Sequence, residues 1–238
     1  MLPEVVVETS PFHQQSVHVV SQGITMSEMN PLAAEAKEHQ SEGFQLLARG
    51  SYAKAREQFL KAIEENPNWA PPYLGLGQTL FFQKKPNLTE AIKSFRRVVE
   101  LSPEWVEGYH WLGVAHEQKG ELHDAVGSFE QAIRLAPSDT RPLISLGVCL
   151  TRLKQFAGAI PHLRRAINLK PYCAEASAHL FLADALKGAG QIDAACKEWK
   201  LVLEMPSEYP EYDSGKKEAT RLLEQNCGSG SRERRRKR

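Results

Sequence analysis

The 34 residues from Val106 to Asp139 read VEGYHWLGVAHEQKGELHDAVGSFEQAIRLAPSD, and this stretch decides the fold of the chain. Two apolar segments with helical spacing, each about a dozen residues long, lie on either side of Gly120. Pro137 follows the second segment, at a place where proline ends a helix. The stretch therefore predicts two helices joined by a tight turn.

The same pattern of small and large residues returns 34 positions later. The first copy consists of Tyr109, Leu112, Gly113, His116, Gly120, Ala125, Phe129, Ala132 and Pro137. The second copy consists of Leu143, Leu146, Gly147, Leu150, Ala159, Leu163, Ala166 and Pro171. A fixed period of this length indicates a repeat architecture, in which neighbouring helix pairs stack and bury a continuous core.

This pattern resembles the tetratricopeptide repeat, a helix pair with leucine and glycine at positions 7 and 8, alanine at 20 and 27, an aromatic at 24 and proline at 32. The small residues let the two helices approach, and the large ones fill the space around them. The resemblance implies an all-α, right-handed superhelical solenoid of about five repeats with a C-terminal capping helix. The expected repeats within an array at 30–209 are residues 36–69, 70–105, 106–139, 140–173 and 174–209, and the capping helix is expected at 210–226.

Two of the expected repeats depart from the pattern. In the fourth, Gly158 and Pro161 fall within the second helix, so we expect a late start or a kink, because proline removes a hydrogen bond and clashes with the preceding turn. In the fifth, Phe181 stands at the glycine position, and Asp184 stands at position 11, the aromatic position of the first helix. Residues 187–190 lengthen the turn. Phe181 is therefore expected to push the two helices apart.

Charge is concentrated at the two ends of the chain, although the net charge of the whole is only +1. Residues 1–29 mix valines with polar residues without a helical period, which predicts a disordered leader. Residues 227–238 are expected to form a flexible tail that begins with a Gly-Ser tether. The basic residues of this tail are Arg232, Arg234, Arg235, Arg236, Lys237 and Arg238.

The sequence shows no recognisable catalytic motif. It has no glycine-rich phosphate loop and no His-Glu-x-x-His or Gly-x-Ser-x-Gly signature, so we predict a protein that is not an enzyme and needs no cofactor. His110, His116 and His123 are spaced so that no two share a helix face, and no metal site is predicted. The four cysteines form no Cys-x-x-Cys pair, so we interpret them as small packing residues and not as a disulfide or zinc scaffold.

The resemblance also implies where a partner binds. In this family an extended or helical peptide lies against positions 2, 5, 9 and 12 of successive first helices, on a concave groove. Exposed apolar side chains at these positions favour a protein partner, although the leader or a second copy of the chain is an alternative occupant. The expected groove residues are Phe44, Leu74, Gln78, Phe81, His110, Val114, Arg141, Ile144, Val148 and Leu182.

Two functional hypotheses follow. The first is a non-enzymatic scaffold or adaptor that binds a peptide segment in the groove. Only Arg141 matches the basic residues with which some members of the family clamp chaperone tails, so that clamp is not expected. The alternative is a factor that associates with nucleic acid or an anionic membrane through the basic tail. A cytoplasmic location is expected, or a nuclear one if the tail is an import signal.

Overall fold

The computed structural model describes residues 31–169, 175–205 and 210–227, and within them the chain forms only α-helices. The leader and the basic tail residues 232–238 lie outside these described residues. The fold is all-α, as the repeat pattern implies, and the right-handed superhelical course stays a prediction. The helices are α1 Pro31–Ala48, α2 Tyr52–Glu65, α3 Ala70–Phe82, α4 Leu88–Leu101, α5 Val106–Lys119, α6 Leu122–Leu135, α7 Thr140–Arg152, α8 Phe156–Leu169, α9 Glu175–Gly188, α10 Ile192–Glu204 and α11 Pro210–Cys227.

The chain divides into two compact units, residues 1–85 and 86–238. In the described part of the first unit, α2 packs against both α1 and α3, and α1 contacts α3. In the second unit, each helix from α4 to α11 packs against the next. Serial packing of neighbouring helices is the arrangement of a repeat array. The boundaries of the five expected repeats stay a prediction.

Four turns, those after α1, α5, α7 and α9, contain a residue in the left-handed region of backbone conformation. At Gly120 (φ 89°) the helix α5 ends, and the backbone N–H of Glu121 donates to the carbonyl of His116 at 2.9 Å. This bond satisfies a carbonyl that the helix end leaves free, and glycine adopts the conformation without strain. The other residues with positive φ in such turns are Gly50, Lys154 and Gly190.

Small residues on the first helices allow large side chains of the second helices to pack against the backbone. A Cβ atom added at Gly113 would lie 2.6 Å from a ring carbon of Phe129, which is 0% exposed. The ring therefore occupies the space that any larger residue at position 113 would need. The other pairs with this contact include Gly43 with Phe59 and Gly147 with Leu163.

The late start expected for the second helix of the fourth repeat is wrong, and the kink that was the alternative stays a prediction. Helix α8 begins at Phe156, which lies 34 residues after Leu122, the first residue of α6. It continues without interruption through Pro161. Pro161 is exposed, and so is Ala157, whose carbonyl loses its helical donor, so water can replace the missing hydrogen bond.

The register expected for the fifth repeat is also wrong. The backbone N–H of Gln191 donates to the carbonyl of Leu186 at 2.8 Å, and this is the bond that Glu121 makes to His116 in the third repeat. Leu186, and not Asp184, therefore occupies the aromatic position. Counting back three residues places Ala183 at the glycine position, and both Ala183 and Leu186 are 0% exposed.

In this corrected register Phe181 no longer stands at the position where the packing needs a small residue. The turn after α9 has the same length as the turn after α5, because Gly190 follows Leu186 by four residues, as Gly120 follows His116. Ala183 is small enough for Trp199 to be fully buried. A hydrogen bond of 2.6 Å between His179 and Glu198 repeats the spacing of the bond between His39 and Gln58 in the first unit. Phe181 is only half-buried and does not separate the helices of this pair.

The interpretation of all four cysteines as packing residues is wrong for two of them. Cys196 of α10 and Cys227 of α11 form a disulfide that closes a loop with a sequence separation of 31. Cys149 fits the prediction, because it is free and buried in the core of the second unit. The fourth cysteine, Cys173, lies outside the described residues. The sequence spacing did not indicate the pair, because the two cysteines are 31 residues apart and meet only through the packing of α11 against α10.

Helix α11 covers the end of the array, as expected for a capping helix. Ala219 is 0% exposed and Leu222 is 7% exposed, and both belong to the hydrophobic core of the second unit. A Cβ atom added at Gly215 would be in ordinary contact with Ala176, Leu180 and Val202. The apolar face of this helix covers the apolar end of the array, and its opposite, polar face is exposed to water.

We predict that Gly113→Leu destabilises the second unit by about 1–3 kcal/mol, because the new side chain overlaps the buried ring of Phe129. Gly127→Leu is the matched control. Gly127 lies in α6 with nothing within 4 Å of an added Cβ atom, so leucine there should be neutral or stabilising. Urea unfolding followed by circular dichroism measures both changes. Equal midpoints for the two variants would contradict the packing assigned to Gly113.

Candidate functional site

The first helices of the second unit lie side by side. Helix α5 contacts α7, and α7 contacts α9, whereas α6, α8 and α10 make no comparable contacts with one another within the described residues. The side formed by the first helices is therefore the more closely packed one. We call its surface at repeat positions 2, 5, 9 and 12 the inner face. In the observed register it comprises Glu107, His110, Val114, Glu117, Arg141, Ile144, Val148, Thr151, Ser177, Leu180, Asp184 and Lys187.

An apolar strip runs along this inner face. It consists of Val114, Ile144, Val148 and Leu180, one or two residues from each of the three first helices. All four side chains are half-buried, so each packs on its neighbours and still leaves apolar surface open. The sequence predicted Val114, Ile144 and Val148, and the corrected register adds Leu180.

Two predicted groove residues are buried in the structure. Leu182 is 2% exposed and belongs to the hydrophobic core of the second unit, so its expected place on the groove is wrong. It occupies the position of Leu112 and Leu146 in the preceding repeats, because the register is displaced by two residues. Leu74, in the first unit, is 7% exposed and also offers little surface to a partner.

The remaining predicted residues of the first unit are half-buried. The ring of Phe44 packs edge-on against Phe59, with a centroid distance of 5.0 Å. The rings of Phe81 and Phe82 are 5.1 Å apart, and Phe82 is 48% exposed. Gln78 lies one turn before Phe82 on the same helix. The first unit thus has partly exposed aromatic side chains of its own, and the amide of Gln78 lies on the same helix as Phe81 and Phe82.

Ion pairs join the first helices of the second unit at the edges of the apolar strip. Arg141 Nη2 lies 2.6 Å from Asp139 Oδ2 and 3.3 Å from Glu107 Oε1 of the preceding first helix. At the other end of the same helices, Arg152 Nη1 lies 3.0 Å from Glu117 Oε1. Burial alone would raise the pKa of Asp139, but hydrogen bonds from Arg141 lower it below its usual range. Arg141 is thus already engaged by two carboxylates.

His110 is a neutral polar group between these ion pairs and the core. Its ring lies near Trp111 and Phe129, with centroid distances of 5.9 and 6.0 Å. Burial, and then the charge of Arg141, lower its pKa from 6.5 to about 4. Its Nδ1 atom is buried and has no hydrogen-bond partner among the described residues. Because this nitrogen is buried, its missing hydrogen bond costs stability, and the nitrogen is not presented to a ligand at the surface.

A cluster outside the inner face brings three possible metal ligands together. Ligand atoms of His116, Glu121 and Asp124 lie within 4.8 Å of one another. However, Glu121 already contacts His116 Nδ1 and Lys119 Nζ, each at 2.7 Å. Hydrogen bonds from Lys119 and then His116 lower the pKa of Glu121. The carboxylate of Glu121 is thus already paired with Lys119 and His116 at the C-terminal end of α5. We therefore assign no metal to this cluster.

We predict that His110 makes the folded protein less stable as the pH falls. The unfolded chain takes up a proton on this residue below about pH 6.5, whereas the folded protein does so only below about 4. The contribution to stability is therefore complete above pH 6.5 and is lost progressively between pH 6.5 and 4. Between pH 7.5 and 5, the free energy of unfolding should fall more for the wild type than for His110→Gln.

His123→Gln is the control for the loss of a histidine from a surface position, because His123 is exposed on α6. Urea unfolding at the two pH values gives the free energies, and an NMR titration of the imidazole gives the pKa directly. A His110 resonance that titrates near pH 6.5 in the folded protein would contradict the assignment.

Comparison with known proteins gives the same architecture. The sequence profile of the family described as tetratricopeptide repeat matches residues 45–105, 82–140 and 112–173, together more than half of the chain. Among solved structures, MamA protein is similar, with 25% identity, a TM-score of 0.64 and coverage of 71% of this chain and 91% of that one. Helices of the described residues include none long and apolar enough to cross a membrane.

Two further structures resemble this chain at lower identity and support the fold alone. YrrB, whose structure is described as that of a TPR protein with an unusual peptide-binding site, has 17% identity, a TM-score of 0.63 and coverage of 80% of this chain and 95% of that one. The thermophilic TPR protein TTC0263 of Thermus thermophilus has 22% identity, a TM-score of 0.58 and coverage of 79% and 98%. Together with the profile match and the packing of successive helix pairs, these comparisons show that the chain belongs to the tetratricopeptide repeat family, generally a non-enzymatic fold of protein-interaction scaffolds.

Proposed function

We propose that this protein is a non-enzymatic adaptor that binds a peptide segment of a partner on the inner face of its second unit. The observation that carries the proposal is the apolar strip of Val114, Ile144, Val148 and Leu180. Its side chains come from three successive first helices, so a ligand that crosses these helices contacts all of them. A continuous apolar surface with a charged border is what a protein partner buries.

The chemistry of the border indicates what kind of segment fits. Arg141 and Arg152 each already pair with acidic side chains of this chain, so a strongly acidic segment would have to compete with those pairs. We therefore propose a segment with aliphatic or aromatic side chains at regular intervals and without a run of acidic residues. This chemistry differs from that of a clamp for a terminal carboxylate, which needs several converging cations.

The first unit supplies an apolar surface of its own, which we propose as a separate site for a protein segment. Phe44 and Phe81 are half-buried on α1 and α3, and Gln78 adds a polar amide. Aromatic side chains offer large contact areas for the conformational entropy they lose, so they serve well as anchors. The leader and a second copy of the chain stay alternative occupants. A cytoplasmic site of action stays part of this proposal.

We predict that Ile144→Ala combined with Val148→Ala weakens peptide binding at least about tenfold, since each truncation removes buried apolar area at the centre of the strip. A proteome-derived library of displayed peptides selects ligands of the wild type, and fluorescence anisotropy measures the affinity of a selected peptide. Val126→Ala combined with Ile133→Ala is the matched control. It removes the same number of atoms from half-buried positions on α6 and should leave affinity unchanged.

Equal loss of binding in the two double variants, or no loss in either, would refute the inner face as the site. Removal of residues 232–238 distinguishes the alternative in which the tail binds a polyanion. If binding belongs to the tail, the affinity for DNA or anionic vesicles depends steeply on salt and disappears with the truncation. Peptide binding by the inner face should survive the same truncation.

A further inference from the structure

The disulfide joins the capping helix to the last helix pair at a single point. Cys196 lies in the first half of α10, and Cys227 is the last residue of α11. Between Leu222, which is packed in the core, and Cys227, the residues of α11 are exposed or half-buried. The covalent bond therefore holds the end of α11, where Leu223 and Cys227 pack against the core but are only partly buried.

A surface cavity of about 250 Å³ gives access to this bond. Both cysteines are half-buried and line it. Cys149 differs in both respects, because it is 0% exposed and burial raises the pKa of its thiol to about 12. The cavity has the size of a small molecule and not that of a folded redox protein. The charged residues and amide that line it with the cysteines are Asp193, Lys197, Lys200 and Asn226.

The charges around the cavity favour thiol exchange. Two ammonium groups, those of Lys197 and Lys200, face one carboxylate, that of Asp193, so the cavity is net positive. Lys200 follows Cys196 by four residues and so lies on the same side of α10. Nearby cations stabilise a thiolate, which makes Cys196 the better leaving group of the pair.

We propose that the Cys196–Cys227 bond is a redox-controlled clasp, opened in this cavity by a small thiol that carries carboxylates. The thiolate of the first reductant molecule attacks the sulfur of Cys227, the protein S–S bond breaks, and Cys196 leaves as a thiolate. A second thiolate attacks the sulfur of the first reductant in the mixed disulfide, which releases a small-molecule disulfide and the thiolate of Cys227. Two electrons pass from two thiols to the protein, and both cysteine thiolates take up protons from water.

Opening the clasp frees the end of α11 without removing its packed residues. Ala219 and Leu222 still hold the middle of the helix in the core, so its final turns open first. The proposal also reconciles the disulfide with a reducing compartment, where stable structural disulfides are rare and redox-responsive ones occur. It does not depend on what the inner face binds.

Hydrogen exchange tests the clasp. Under oxidising conditions, mass spectrometry of thiol-blocked protein should show Cys196 and Cys227 linked, and reduction with dithiothreitol should raise amide exchange in residues 222–227 by about tenfold or more. Cys196→Ser should exchange at the faster rate with or without reductant. Cys173→Ser, which keeps the pair and the enclosed Cys149, should behave as the wild type.

A second measurement tests the cavity. Glutathione, an anionic thiol, should open the clasp faster in the wild type than in Lys197→Gln combined with Lys200→Gln, by about fivefold, and the neutral 2-mercaptoethanol should show no such difference. Blocking that finds free thiols at Cys196 and Cys227 under oxidising conditions overturns the clasp. So does exchange in residues 222–227 that reduction leaves unchanged, and equal effects of the lysine changes on both thiols overturn the role of the cavity.

Discussion

The structure depends on the close approach of a small residue on one helix to a large side chain on the next. At Gly113 the ring of Phe129 fills the space of the absent Cβ atom, and the same contact joins Gly147 to Leu163. The large partner varies from aromatic to aliphatic, whereas the small residue is glycine in these two pairs and alanine, Ala183, in the last pair. Because the distance between the helices is fixed at this point, the remaining core positions can be filled only by residues of matching size. This explains why the sequence pattern is strict at a few positions and loose elsewhere.

Much of the fold was predictable because its signals are local. The helix pair at 106–139 begins and ends close to where the apolar spacing and Gly120 indicate. The fifth repeat was placed wrongly because two registers fit its sequence almost equally well. Leu180 with Phe181 keeps the 34-residue period, whereas Leu182 with Ala183 breaks it and supplies the small residue that the packing needs. The need for a small residue at position 8 predicts the observed register, and the 34-residue period does not.

The same error explains which parts of the candidate site were found. A displacement of two residues turns a side chain by about 200° around a helix, so a residue expected on the inner face lies in the core. Leu182 was misplaced for this reason, and Leu180 was missed. Val114, Ile144 and Val148 were placed on the inner face because their repeats keep the period. The disulfide between Cys196 and Cys227 had no local signal, because it depends on how the last helix returns to the array.

The burial of Cys149 gives the second unit a built-in reporter of its own opening. Its thiol is fully enclosed among residues of α7 and its neighbours, and its raised pKa keeps it protonated at neutral pH. An alkylating reagent can therefore react with it only during the moments when the surrounding helices separate. In protein with Cys173 replaced, the rate of labelling at Cys149 reports how often the core opens. Local opening can therefore be measured under native conditions without denaturant.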